Sequence, residues 1–186
     1  FREAEEKSAE ELYERAGIYA EFGKGVTIAV GYFSDLDPEL KLRITAFSGN
    51  DERQLLQEFA ELLNSKHFSS KETRLCAHNG KEFDFPYIAR RMLVNGIELP
   101  KALQLSGKKP WEIPHLDTLE LWKFGDYKHY TSLDLLASIF GIESSKDDID
   151  GSQVNRIYYE QNDLDRVVKY CKKDVSVLVQ VFLSLS

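Results

Sequence analysis

The chain has 186 residues, enough for one domain with its own core and no dependence on a disulfide or metal for folding. With 42% hydrophobic and 30% charged residues, it has an ordinary globular balance. The net charge of −7 excludes a basic coat protein whose affinity would come from neutralising phosphates, but it is compatible with a site that gathers carboxylates around cations.

Residues 1–16 are rich in Ala and Glu, and predict a helix with a solvated face. Lys24 to Phe33 reads as a buried strand, and the turn chemistry of residues 34–38 follows it. Lys41 to Phe47 alternates polar and apolar residues, as a strand with one buried face does. The two strands are expected to form an antiparallel hairpin. Asn50 or Asp51 caps the next helix, whose apolar positions Leu55, Leu56, Phe59, Leu62 and Leu63 keep helical spacing. Thr73 to Ala77 is a short buried strand. A helix is expected over Phe83 to Val94, with Pro86 tolerable only in its first turn.

Asn95 to Pro114, rich in Gly, Pro and Lys, is an irregular connection longer than most. His115 to Trp122 begins as a strand and turns helical. Thr131 and Asp134 have the spacing of a capping box opening the helix Ser132–Phe140, and Gly141 ends it. Ser144 to Ser152 is a polar loop. The last helix runs from about Asp163 to Leu183, with Leu164, Val167, Val168, Cys171, Val175 and Leu178 on one face. Hairpin, helix, strand and then mainly helices make a mixed α/β layout rather than a repeating βαβ pattern.

Cys76 and Cys171 lie among apolar neighbours without a Cys-x-x-Cys pairing, which predicts buried free thiols in a reducing cytosol and hence a cytoplasmic protein. No apolar run approaches the ~20 residues that span a bilayer, so no membrane partner is expected. His67, His78, His115 and His129 lack zinc spacing and are expected in structural or surface roles.

Two segments carry chemistry. In Asn79-Gly80-Lys81-Glu82-Phe83-Asp84, a loop leaves a strand and enters a helix, placing Asp84 where α/β folds build sites. Asp84 is either a hard-oxygen ligand for Mg²⁺ or Mn²⁺ or simply a favourable helix-start carboxylate. In Tyr170-Cys171-Lys172-Lys173-Asp174, Tyr170 and Asp174 are one helical turn apart and share a face. A tyrosine hydroxyl there can orient a metal-bound water, and the carboxylate can hold the metal. The same short spacing recurs at Tyr130 and Asp134 and at Tyr159 and Asp163, where both acids are expected to cap helices.

Together these segments resemble the DEDD 3'-5' exonucleases of the tyrosine subclass. Asn-x-x-x-Phe-Asp matches that family's second motif and Tyr-x-x-x-Asp its third. The histidine subclass would place His where Lys169 stands. The chain is most similar to predicted 3'-5' exonucleases related to the exonuclease domain of family B DNA polymerases. That similarity extends through Gly17–Lys24, Lys109–Glu112, His115–Thr118 and Lys146–Gly151. It implies a ribonuclease-H-like mixed sheet flanked by helices, and a single exonuclease-like domain over residues 1–186.

The resemblance also implies a function: metal-dependent hydrolysis of the terminal phosphodiester of a single-stranded or frayed DNA or RNA 3' end, giving nucleoside 5'-monophosphates. Two divalent cations, Mg²⁺ or Mn²⁺, would sit ~3.5–4 Å apart, one activating water and the other stabilising the leaving oxygen. Asp84 and Asp174 are the implied metal ligands, and Tyr170 completes the catalytic set. Substrate-binding candidates are Asn79, Phe83, Lys109 and Trp111. Phe83 or Phe85 would stack on the terminal base, at least one of the two being core. Lys109 and Trp111 either track the strand or form an ordinary loop. Asp117 is a candidate for the rim of the site, with a cap or turn role as the better bet.

The family's first motif, an Asp-x-Glu on an opening strand, has no counterpart here. Asp35-Leu36-Asp37 lies in a turn and lacks the Glu. The expectation is an N-terminally truncated domain without its first strand, nearly inactive as it stands. The rival is a catalytically inactive module of the same fold that binds nucleic acid or protein.

Overall fold

The computed structural model describes residues 16–34, 41–68, 73–126, 130–144 and 149–186. The helix expected over residues 1–16 lies almost wholly outside them. The turn after the first strand, the Asp35–Asp37 pair, His129 and the first half of the Lys146–Gly151 segment also lie outside.

Strand β1 (Thr27–Ser34) pairs antiparallel with β2 (Lys41–Ser48), Thr27 opposite Ser48 and Ser34 opposite Lys41. The pleat sends alternate residues to opposite faces. Ile28 and Val30 of β1, with Phe47 of β2, pack on the main core. This core is built from Leu55, Leu56, Phe59, Ala60 and Leu63 of helix α1 (Glu52–Asn64) and Phe85 and Met92 of α2 (Asp84–Val94). The Asp51 side chain accepts from Gln54 N at 3.1 Å and so caps α1.

The two-residue strand β3 (Cys76–Ala77) pairs parallel with β4 (Leu116–Asp117). Leu75 and Ala77 pack on the same core as Ile28 and Val30. Among the described residues, however, no ladder joins the two sheets, which remain separate pairs. The mixed sheet with flanking helices is the one expected, in two pieces.

After β4 come α3 (Thr118–Lys123), α4 (Leu133–Ile139), α5 (Val154–Tyr159) and the long α6 (Leu164–Ser184), with Asp163 capping α6 as expected. Helix α6 lies across the face of β1 and β2 opposite α1. At Gly31 a Cβ would come 2.7 Å from Val175 Cγ1, so the missing side chain lets the helix approach this closely. Leu136, Ala137, Val177 and Val181 close a second cluster between α4 and α6. Ile149, Ile157 and Val167 form a third, against which Tyr170 packs.

Two expectations need correction. The Thr131–Asp134 capping box does not form. Ser132 caps α4, its hydroxyl accepting from Leu135 N at 3.2 Å, because the Thr131 carbonyl is held by His78 Nε2 at 2.8 Å. Asp134 instead accepts from the Ser144 hydroxyl. The loop read over 144–152 gives way at its end to a 3-10 turn (Gly151–Gln153) and then to the unexpected helix α5. Among the described residues, no helix is long and apolar enough to cross a membrane.

One knot ties the residue 17–25 segment to the core. Glu52, 7% exposed, accepts from Arg91 Nε at 2.9 Å, Arg91 Nη2 at 2.5 Å, Asn95 Nδ2 at 3.0 Å and Gly25 N at 2.5 Å. Arg91 Nη1 also donates to the Ala20 carbonyl at 2.8 Å. Burial alone would raise the carboxyl pKa of Glu52. The bonds from Arg91, Gly25 and Asn95 offset this and hold it below the ordinary range.

Candidate active site

The loop between β3 and α2 is shaped by Asp117, 3% exposed at the end of β4. Its Oδ1 accepts from Asn79 N at 2.8 Å and from Leu119 N at 3.0 Å, and its Oδ2 from Lys81 N at 3.1 Å. The cap role expected for Asp117 is therefore present, and it is larger than a cap. One carboxylate starts α3 and also fixes a loop that is 36 residues away at Lys81. Three donated N–H groups commit it to structure rather than to the rim of a site.

Asn79 sits at φ 60°, a left-handed conformation that Asn tolerates better than most residues. Gly80 follows where a Cβ would stand 2.3 Å from Ala77 Cβ. The Gly80 carbonyl accepts from Phe85 N at 2.9 Å, and the Asn79 carbonyl from Phe83 N at 3.0 Å. The Asn-Gly pair is thus explained by backbone geometry, which turns the chain sharply enough for α2 to begin at Asp84.

The two phenylalanines divide as expected. Phe85 is core, edge-on to His115 at 5.0 Å between ring centroids. Phe83 is 45% exposed, its ring 5.6 Å from that of Tyr87.

Asp84 lies in the first turn of α2, partly buried. Burial pushes its carboxyl up to about 6, against the pull of its own backbone N–H, and the charges of Asp117 and Asp174 add to the rise. Asp174 therefore bears on Asp84 across 90 positions of sequence, through the approach of α6 to the sheet. Tyr170, one turn earlier on α6, is hydrogen-bonded to Asp174. Burial, then Asp174, drives its hydroxyl far above the ordinary tyrosine value. That hydroxyl stays protonated at neutral pH, so it can orient a group but not serve as a base.

Burial and then Asp174 push the Cys171 thiol up to about 12. Burial and then Asp117 push Cys76 up to about 11. Both are free and inert as nucleophiles at neutral pH. His115 Nδ1 accepts from Leu75 N at 3.2 Å, so the proton sits on Nε2, which meets the Ala102 carbonyl at 2.7 Å. His78 spans Thr118 Oγ1 at 2.9 Å and the Thr131 carbonyl. Burial lowers both imidazole pKa values, as suits neutral structural rings.

Lys109 and Trp111 belong to a 3-10 turn (Pro110–Glu112). Lys109 Nζ lies 5.3 Å from the centroid of the Trp111 ring, which is 77% exposed and not packed down as a lid.

Among the described residues, no three His, Cys, Asp or Glu groups stand close enough to hold a metal ion. Asp84 and Asp174 are hard oxygen donors, and Asp84 carries a like-charge burden that a cation would relieve.

The model of one protein family, RNase_H_2, described as RNase_H superfamily, matches residues 13–186. That match takes in both sheets and every helix described above. It points to a nucleic-acid-related function of nuclease type, and divalent metals typically serve nucleases of this fold. The divided mixed sheet, the flanking helices and the matched span agree: this chain belongs to the ribonuclease H superfamily.

Proposed function

We propose that the chain carries the second and third motifs of a metal-dependent 3'-5' exonuclease of the tyrosine subclass, acting on single-stranded or frayed DNA or RNA ends. The observation that supports this best is the pairing of an under-compensated Asp84 with Asp174, and of Asp174 with Tyr170. A helix-start carboxylate serving only α2 would gain nothing from facing two other acids.

Asp84 and Asp174 would hold Mg²⁺ or Mn²⁺. When bound, such ions activate water and stabilise the departing oxygen of a phosphodiester. Tyr170 keeps its proton and positions the attacking water. Phe83 stacks against the terminal base, an interaction worth about 1–3 kcal/mol per base. Asn79 and Asp117 shape the loop that presents Asp84, and Lys109 with Trp111 is a more distant candidate for the strand's path.

The remaining ligands would come from a further strand carrying Asp-x-Glu. Such a strand would fit between the two sheets, which share one core and, among the described residues, no ladder. A two-residue pair such as β3–β4 is too short to be stable alone, and a neighbour on its open side would extend it.

The test is an assay of 5'-labelled DNA and RNA oligonucleotides of one sequence with Mn²⁺, comparing the 186-residue chain with a protein extended upstream. The extended protein should shorten one of them stepwise from its 3' end, and Asp84→Asn should stop it. The shorter chain should show little turnover. Binding without hydrolysis by the extended protein would replace the enzyme with a binding module of the same fold.

A further inference from the structure

A row of rings, exposed at Phe83 and Tyr159 and half-buried at Tyr87 and Tyr158, lies beside the Asp84 and Tyr170 elements. Helix α5 turns Ile157 inward, 1% exposed, into the cluster against which Tyr170 packs. Its next two residues turn outward. Tyr158 and Tyr159 meet edge to face with centroids 4.8 Å apart, and Tyr159 is 64% exposed. Tyr158 is fixed at both ends of its hydroxyl, donating to Asn50 Oδ1 at 2.8 Å and accepting from Lys24 Nζ at 3.3 Å. The same ammonium lies 5.7 Å from the Tyr158 ring centroid.

From the other side, Phe83 leans on Tyr87, whose hydroxyl donates to the Gly17 carbonyl at 2.9 Å. Burial raises the Tyr87 hydroxyl above the ordinary tyrosine range, and Tyr159 lies near enough to add to that rise. Exposed rings scattered singly mean little, but rings joined into one strip, with a cation tied in at one end, mark a binding surface. The chemistry suits one occupant. Every base has a π-face to stack on a ring, and the phosphates between bases suit an ammonium.

We propose that Tyr158, Tyr159 and Lys24 form a platform that stacks the single-stranded nucleotides trailing behind the 3' end held at Phe83. This rests on the nuclease reading for its direction, though not for the binding itself. Tyr159 supplies the open stacking face. Tyr158 is a positioning residue, locked by Asn50 and Lys24 so that Tyr159 has a fixed wall behind it. Lys24 also contributes one phosphate contact, so binding is led by rings rather than by charge.

The test is fluorescence anisotropy of the 186-residue chain with a labelled twelve-nucleotide oligothymidylate in EDTA, where no cleavage interferes. Tyr159→Ala should weaken binding roughly tenfold, within the range for loss of one base–aromatic stack. Tyr159→Phe, which keeps the ring, should bind like the parent. Lys24→Gln should flatten the logarithmic salt slope by about 0.7, the value for one phosphate on a single strand. Phe124→Ala removes another exposed ring, at the end of α3, and should change nothing; its circular dichroism and that of the other variants should match the parent.

The platform is overturned if Tyr159→Ala binds like the parent, if Phe124→Ala loses as much, if a blunt duplex of equal length binds equally well, or if the parent does not bind. Mn²⁺-dependent shortening lost in Asp84→Asn, with unchanged binding in Tyr159→Ala, would sink the platform and keep the nuclease. Ring-dependent binding without Mn²⁺-dependent shortening by the extended protein would do the reverse.

Discussion

Two acids in this protein, Glu52 buried and Asp84 partly buried, have opposite surroundings. Glu52 is wrapped by four hydrogen bonds from Arg91, Asn95 and Gly25, and its carboxyl is held below the ordinary range. Asp84 has its own backbone N–H and two acidic neighbours, and its carboxyl is pushed up to about 6. Burial opposes both charges equally in kind. What differs is whether the chain itself supplies the compensation. Where it does, the acid is a joint that holds the residue 17–25 segment to α1 and α2. Where it does not, burial and the neighbouring charges of Asp117 and Asp174 leave the acid under-compensated.

The most severe way to break the contrast is Glu52→Gln. It leaves the Arg91 guanidinium buried without its counter-charge, and loss of one partner from a buried pair costs about 3–5 kcal/mol. Urea denaturation should show the midpoint falling accordingly. A loss under about 1 kcal/mol would mean that water reaches the pair.

Next comes Tyr170→Phe in a protein that hydrolyses. The ring and its packing stay while the hydroxyl goes, so turnover should fall by roughly 10²–10⁴-fold. Metal affinity, read by calorimetry, should barely move, whereas Asp174→Ala should reduce both. Full activity in Tyr170→Phe would take the tyrosine out of the mechanism.

Asp84→Asn should act on stability in the direction opposite to Glu52→Gln. The folded-state pKa, about 6, lies above the ordinary 3.8, so the folded chain holds this proton more tightly than the unfolded chain. Below 3.8 both states are protonated and the site carries no penalty. Stability falls as pH rises towards 6 and stays reduced above it. Asp84→Asn should therefore gain on the order of 1–3 kcal/mol at pH 7–8 and nothing below pH 4, as followed by melting temperature across pH. Mn²⁺ should raise the parent's melting temperature more than the variant's. A variant less stable than the parent at pH 8 would place Asp84 among the structural acids.

The smallest effect belongs to a third kind of acid. Lys81 Nζ meets Glu120 at 2.6 Å, and the Glu120 side chain is 45% exposed. Solvent screens this pair, so Glu120→Gln should cost no more than about 1 kcal/mol, and 0.5 M salt should erase most of it.

How much of this was visible in the sequence depended on range. Strands β1 and β2 and helices α1, α2 and α6 follow from periodicity and from nearby caps such as Asp51 and Asp163, within a few residues of their observed ends. Helix α5 has six residues, too few for a period to show, and it was missed. The false capping box at Thr131 matched a local pattern, but the carbonyl was already taken by His78 from 53 positions away. The site divides in the same way. The candidates Asp84, Tyr170 and Asp174 stand in short motifs that are legible in the sequence. The Asn79 and Lys81 bonds of Asp117, and those that Arg91 and Asn95 donate to Glu52, bridge 36 to 43 positions, and the Gly25 bond bridges 27, so no local pattern betrays them. Phe83 and Phe85, two residues apart, could be separated into surface and core only by the turn that Asn79 and Gly80 impose.

The bare backbone at Gly31 acts as a gauge. Val175 rests on it, and Val175 follows Asp174 directly, so the thickness of one residue in β1 bears on how far Asp174 stands from Asp84. A methyl group added there would meet Val175 Cγ1 at 2.7 Å, and a β-branched side chain has little freedom to swing aside. Gly31→Ala would shim α6 away from the sheet and carry Tyr170 and Asp174 with it. Under the proposed nuclease reading, metal coordination tolerates only tenths of an ångström, so turnover would be detuned by a position that touches neither acid.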